Sequence, residues 1–145
     1  MRVTGEDMQL YAVTDTQWLN GKDFLSVIES VLANGATFLQ LREKNATHEE
    51  IVKKAMAIKP IAKKYGVPFV IDDDIYAAKE ADADGVHIGQ SDADYKTARA
   101  VLGEGKIIGM TVKTKEQAEN AIRMGADYVG MGAAVSYTHL RAHET

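Results

Sequence analysis

The chain has 145 residues, a formal net charge of −4 and no cysteine, with 46% hydrophobic and 26% charged residues. That balance fits one folded domain with a core of its own and excludes disulfide and thiolate chemistry. The mild acidity gives no basis for a nucleic-acid or membrane partner, no apolar run nears the ~20 residues of a membrane span, and the opening M-R-V-T-G-E-D lacks a signal-peptide core, so a soluble cytoplasmic protein is expected.

Leu10 to Asp15 reads as a strand ending in a polar pair. Asp23 caps a helix whose Phe24, Val27, Ile28, Val31 and Leu32 keep helical spacing, and Asn34-Gly35 stops it. Thr37 to Lys44 is a second strand with its following turn. Alternation sets Leu39 and Leu41 on one face and Gln40, Arg42 and Lys44 on the other. Thr47 and Glu50 form a capping box for a helix carrying Ile51, Ala55, Ile58 and Ala62, which Pro60 is expected to kink or restart. Then come a strand around Phe69, a helix over Ile75–Ala81 and a strand over Gly85–Gly89. A helix from Asp94 to Leu102 follows, with Tyr95, Ala98, Val101 and Leu102 inward, then a strand from Lys106 to Val112. Thr114 and Gln117 cap a helix bearing Ala118, Ala121 and Ile122. Gly125 closes it, and Asp127 to Gly132 is a sixth strand.

Strictly alternating strands and helices indicate a parallel α/β fold. A-D-G-V-H-I-G from Ala83 is echoed by A-D-Y-V-G-M-G from Ala126, with Gly35-Ala36 as a weaker third copy. Such repeats suggest a (β/α)₈ TIM barrel rather than an open sheet, and no Rossmann or P-loop glycine fingerprint follows the first strand. A full barrel has about 250 residues and eight strands. This chain is therefore expected to hold about six βα units, an incomplete barrel over residues 1–135. Residues 136–145, with no apolar period and two of the four histidines, read as a tail foreign to the domain.

The chemistry gathers at strand ends. Asp72, Asp73 and Asp74 follow one apolar run and Asp92 follows the next. Neighbouring parallel strands lie ~5 Å apart, so Asp73 and Asp92 are expected to share a hard cation such as Mg²⁺, which keeps waters and takes further ligands from a phosphate. Asp74 is better read as a helix cap. His87 on an apolar strand reads as a packed, hydrogen-bonded histidine, and Tyr11 and Phe38 as core. His139 and His143 lack the glutamate of a zinc-protease helix. Gly130 and Gly132 either admit a phosphate or ease packing.

The pieces L-Y-A-V-T-D, Q-L-R-E-K, G-V-P-F-V-I-D-D, D-G-V-H-I-G-Q-S-D, I-I-G-M-T and G-A-D-Y-V-G-M-G stand in the order and spacing of one family, over roughly residues 9 to 135. The chain resembles thiamine-phosphate synthase. That resemblance implies a (β/α)₈ barrel that joins a hydroxymethylpyrimidine diphosphate to a thiazole phosphate, with Mg²⁺, and releases pyrophosphate. It implies that Gln40, Leu41, Arg42, Glu43 and Lys44 line the pyrimidine-diphosphate site, Leu41 and Glu43 by backbone at most. Arg42 and Lys44 would stabilise the leaving group, Asp72 and Thr111 would touch the same substrate, and Asp73 and Asp92 would hold the metal. His87 and Gln90 would line the same strand end. Asp72 stands where the family commonly has asparagine and Thr111 where it often has serine. After Gly132 the family's phosphate-binding P-x-F-P-T-x-T-K is replaced by Ser136, Tyr137, Thr138, His139 and Leu140. The other readings are a thiazole tautomerase-like barrel and a non-catalytic barrel fragment whose open edges pair with another chain. Retention of Asp73, Asp92 and Q-L-R-E-K favours the synthase, as a fragment with impaired activity because half of the expected active site is missing. The expected partners are small molecules, with homo-oligomerisation possible through those edges.

Overall fold

In a computed structural model, residues 2–132 of the chain are described. The strands are β1 (Tyr11–Val13), β2 (Phe38–Leu41), β3 (Phe69–Asp72), β4 (Gly85–Ile88), β5 (Ile107–Val112) and β6 (Tyr128–Met131). Between them run α1 (Phe24–Ala33), α2 (His48–Lys64), α3 (Ile75–Glu80), α4 (Asp92–Leu102) and α5 (Lys115–Met124). All six strands pair in parallel, in sequence order β1 to β6. The α/β alternation read from the sequence is therefore present, as a six-stranded sheet. The reading of residues 136–145 as foreign, and that of His139 and His143, lie outside the described residues.

Side-chain alternation splits the sheet into two faces. Leu39, Leu41, Phe69, Ile71, Val86, Ile88, Ile108, Met110 and Val112 are buried in the main core with the helices. The other face carries Phe38, Val70 and Ile107, which cluster with Val3, Met8, Tyr11 and Tyr128. Tyr11 on the first strand and Tyr128 on the last have their hydroxyls 2.5 Å apart. Five spacings of ~4.8 Å would separate these strands in a flat sheet, so the sheet is strongly curled. Glycine makes the inner face fit. A Cβ at Gly85 would run into the Ile107 carbonyl, and one at Gly109 into the Tyr128 ring.

The internal echo has a physical job. Thr37, Asp84 and Asp127 each stand just before an even-numbered strand. Each donates its N–H to the carbonyl of Leu10, Phe69 or Ile108, in every case at 2.8 Å. Each side-chain oxygen then accepts the N–H of that same residue, again at 2.8 Å. The strands are thereby clasped in pairs, β1 with β2, β3 with β4 and β5 with β6. Asp127 is the most heavily used clasp, because Arg2 and the nearly buried Arg99 also bind its carboxylate, at 2.7 and 3.3 Å.

Three local expectations change. A 3₁₀ turn at Thr16–Trp18, capped by Asp15, follows β1. The fourth helix begins at Asp92 with Ser91 as its cap, two residues before Asp94. The second helix runs unbroken through Pro60 instead of restarting there. Proline removes one helix hydrogen bond, but the buried stripe Ile51, Val52, Ala55, Ile58 and Ala62 holds both halves on the sheet. Ile122 on α5 is 64% exposed. Among the described residues no helix is long and apolar enough to cross a membrane.

Helices α2 and α3 are tied by His48, whose Nδ1 and Nε2 lie 2.8 Å from Asp74 and Glu80 respectively. Hydrogen bonds to Glu80, then Asp74, raise the His48 pKa above its ordinary 6.5. A raised folded-state value means the contribution to stability is complete below the unfolded pKa and fades as pH rises through the folded one. The melting temperature of the chain should therefore exceed that of His48→Gln most just below the ordinary histidine pKa of about 6.5, with the gap closing as the pH rises above it. A gap independent of pH would overturn this.

Candidate active site

The polar ends of β2 to β5 meet on one side of the sheet. Gln40 is buried on the inner face of β2, and its Nε2 donates to Tyr11 Oη at 2.7 Å. Just beyond the strand, Thr14 holds the Arg42 backbone: the Arg42 N–H donates to Thr14 Oγ1 at 2.9 Å, and the Thr14 N–H to the Gln40 carbonyl at 3.0 Å. Thr14 thus aims the loop that the sequence marked for phosphate. The residue carries no chemistry of its own, so only its position after β1 hinted at this.

Arg42 Nε reaches to 3.9 Å from Asp72 Oδ2. Lys44, Asp72, Asp73, Asp74 and Tyr76 line a cleft of about 580 Å³ at this mouth. Burial, and then the charge of Asp73, push the Asp72 carboxyl above its usual range, against the pull of Arg42 and Lys44. Leu41 is buried on the helix side. The Glu43 side chain turns away to Lys54, 3.2 Å off. Its Oε1 is buried with no hydrogen-bond partner, so the two charges pair by attraction without an aligned hydrogen bond. Glu43 lines the wall of the same cleft, with its carboxylate engaged by Lys54.

Asp73 sits in the left-handed region at φ 68°, a costly conformation for a residue with a side chain, and one asparagine and aspartate tolerate best. Its N–H donates to the His87 carbonyl at 2.7 Å, which ties the turn after β3 to β4. Its exposed carboxylate is left free of the helix cap, because Asp74 caps α3 through a 2.9 Å bond from the Ala77 N–H. Asp92 follows β4 on the same side. It is exposed in the first turn of α4 and accepts from Asn120 Nδ2 at 3.1 Å. Among the described residues no three histidines, cysteines or acids gather as a metal site. The donor set on offer is two hard carboxylates after adjoining strands, which suits an ion that keeps most of its waters, as Mg²⁺ does.

His87 is 8% exposed. Its Nδ1 lies 2.9 Å from Tyr128 Oη and its Nε2 2.7 Å from Thr111 Oγ1. Burial pushes its pKa down to about 4, so the ring is neutral, packed and hydrogen-bonded as expected. Gly130 faces this ring, and a Cβ there would come within 3.4 Å of it. Gln90 is exposed on the loop after β4.

The sequence model for thiamine monophosphate synthase matches residues 10–143. The chain belongs to the thiamine monophosphate synthase family. It is 46% identical over 126 residues to the thiamine-phosphate synthase of Clostridioides difficile, covering 87% of this chain and 60% of that protein. It is 42% identical to the synthase of Persephonella marina, covering 88% and 61%. Thiamine phosphate pyrophosphorylase from Pyrococcus furiosus superposes with a TM-score of 0.81 at 31% identity, over 92% of this chain and 64% of that one. The chain thus spans about 60% of the length of the curated family members it matches.

Proposed function

We propose that the chain carries the pyrimidine-diphosphate half of a thiamine-phosphate synthase, a cytoplasmic transferase built on a complete (β/α)₈ barrel. Six of the eight βα units would lie here. Hydroxymethylpyrimidine diphosphate would lose pyrophosphate, and the nitrogen of thiazole phosphate would take its place on the methylene carbon. The reading rests on Arg42 and Lys44 standing over paired acids at the C-terminal strand ends, in a chain 46% identical to a named synthase.

In this reading Arg42 and Lys44 hold the departing pyrophosphate and offset its growing charge. Positioned charge of this kind is typically worth ~3 kcal/mol of barrier per donor. Mg²⁺ held by Asp73 and Asp92 would add Lewis-acid neutralisation of the same oxygens. Asp72 in place of asparagine takes away an amide donor and sets a carboxylate beside the proposed metal, which would hold the cation more tightly and weigh against the anionic substrate. Gln40 and Thr111 bound the same substrate from β2 and β5.

Calorimetric titration of the chain with hydroxymethylpyrimidine diphosphate should show saturable binding that requires Mg²⁺. Absence of binding at millimolar ligand, or binding indifferent to Mg²⁺, would overturn the reading.

A further inference from the structure

Five polar side chains from five strands run head to tail across the sheet's inner face. Gln40 Nε2 donates to Tyr11 Oη, Tyr11 Oη meets Tyr128 Oη, Tyr128 Oη meets His87 Nδ1, and His87 Nε2 meets Thr111 Oγ1. Phenylalanine would fill the space of either tyrosine. Burying a hydroxyl is unfavourable unless it is bonded, and here both hydroxyls are spent on the chain of contacts.

The first link favours one sense for the others. An amide nitrogen only donates, so Tyr11 Oη accepts from Gln40. With the Tyr11 proton then given to Tyr128 and the Tyr128 proton to Nδ1 of His87, every contact in the row is a donor meeting an acceptor. A neutral imidazole that accepts at Nδ1 carries its proton on Nε2, and so donates to Thr111. The Thr111 oxygen then accepts from His87, and its own proton is not spent on the ring.

We propose that this relay keeps the Thr111 proton off His87 and free to be donated at the mouth, to an anionic phosphate oxygen. Tyr11, Tyr128 and His87 are its positioning residues. The proposal rests on the reading of Thr111 as a substrate contact given above, and it adds that three residues behind Thr111 decide whether it has a proton to give. With the opposite tautomer, Nε2 would take that proton, and Thr111 would meet a phosphate oxygen with lone pairs alone.

The test reads the ring itself. In the full chain with His48, His139 and His143 replaced by asparagine, nitrogen NMR reports His87 alone. A proton on Nε2 is expected with no ligand present; a proton on Nδ1 overturns the proposal, because it reverses both His87 links and spends the Thr111 proton on Nε2. Tyr128→Phe, checked for native circular dichroism, should scramble the tautomer and weaken magnesium pyrophosphate binding about tenfold, the worth of one hydrogen bond to a charged group. Thr111→Val should match that loss and Thr111→Ser should restore affinity. A Tyr128→Phe chain that keeps one Nε2–H tautomer and full affinity refutes the positioning role. Failure of the substrate reading looks different: magnesium pyrophosphate would leave the His87 signals unmoved even with the expected tautomer in place.

Discussion

Asp127→Ala is expected to lower the stability of the chain by about 3–5 kcal/mol, the usual cost of breaking a buried ion pair from one side. The carboxylate is 8% exposed and takes three donors: Arg2 Nε at 2.7 Å, the Ile108 N–H at 2.8 Å and Arg99 Nη2 at 3.3 Å. Removing it leaves Arg99, itself only 10% exposed, with carbonyl partners but no counter-charge. It also opens the clasp between β5 and β6. Asp82→Ala is the control. Lys106 and Lys59 hold the Asp82 carboxyl down to about 2. Yet the side chain is 70% exposed, and solvent reduces such pairs to about 0–1 kcal/mol. Urea unfolding of both variants checks the ranking; equal losses would mean that the pairing of strands does not depend on the clasp.

Asp92→Ala is expected to weaken magnesium pyrophosphate binding at least about a hundredfold, the upper end of what even indirect metal partners contribute. Asp73→Ala should do the same, since each removes one of only two protein oxygens in the proposed site. Asp94→Ala is the discriminating control. It takes the same charge from the same first turn of α4, so it reproduces any effect of net charge or helix dipole without touching the ion. Calorimetry of the three variants decides. Asp92→Ala and Asp94→Ala losing equally would sink the assignment of a ligand and leave only a general field.

Much of this was legible in the chain. Period-two alternation set Leu39 and Leu41 against Gln40, and the structure keeps that division. The Thr47 capping box forms as expected, because capping depends on residues three apart. Asp74 reads as a cap and is one. Pro60 does not restart the helix: local propensity allows a break there, and burial of a stripe on the sheet keeps one continuous helix. Spacing starts the fourth helix at Asp94, and the structure starts it at Asp92 with Ser91 as the cap; a residue at a strand end can also stand in a first helical turn. Val3 and Arg2 were invisible as core and clasp, since their partners Phe38, Ile107 and Asp127 lie far along the chain.

The order of strands and helices, the apolar face of each strand and the charged residues at strand ends can all be read from local spacing. All of these follow from spacing within a few residues, where backbone geometry leaves few choices. The packed fold was needed to show that the A-D echo is a set of clasps, and that Tyr11 and Tyr128 touch across the curl. It alone joined His87 to Thr111. Those facts depend on how far the sheet bends and on which strands it brings face to face. That is a property of the packed whole, which no window of the chain contains.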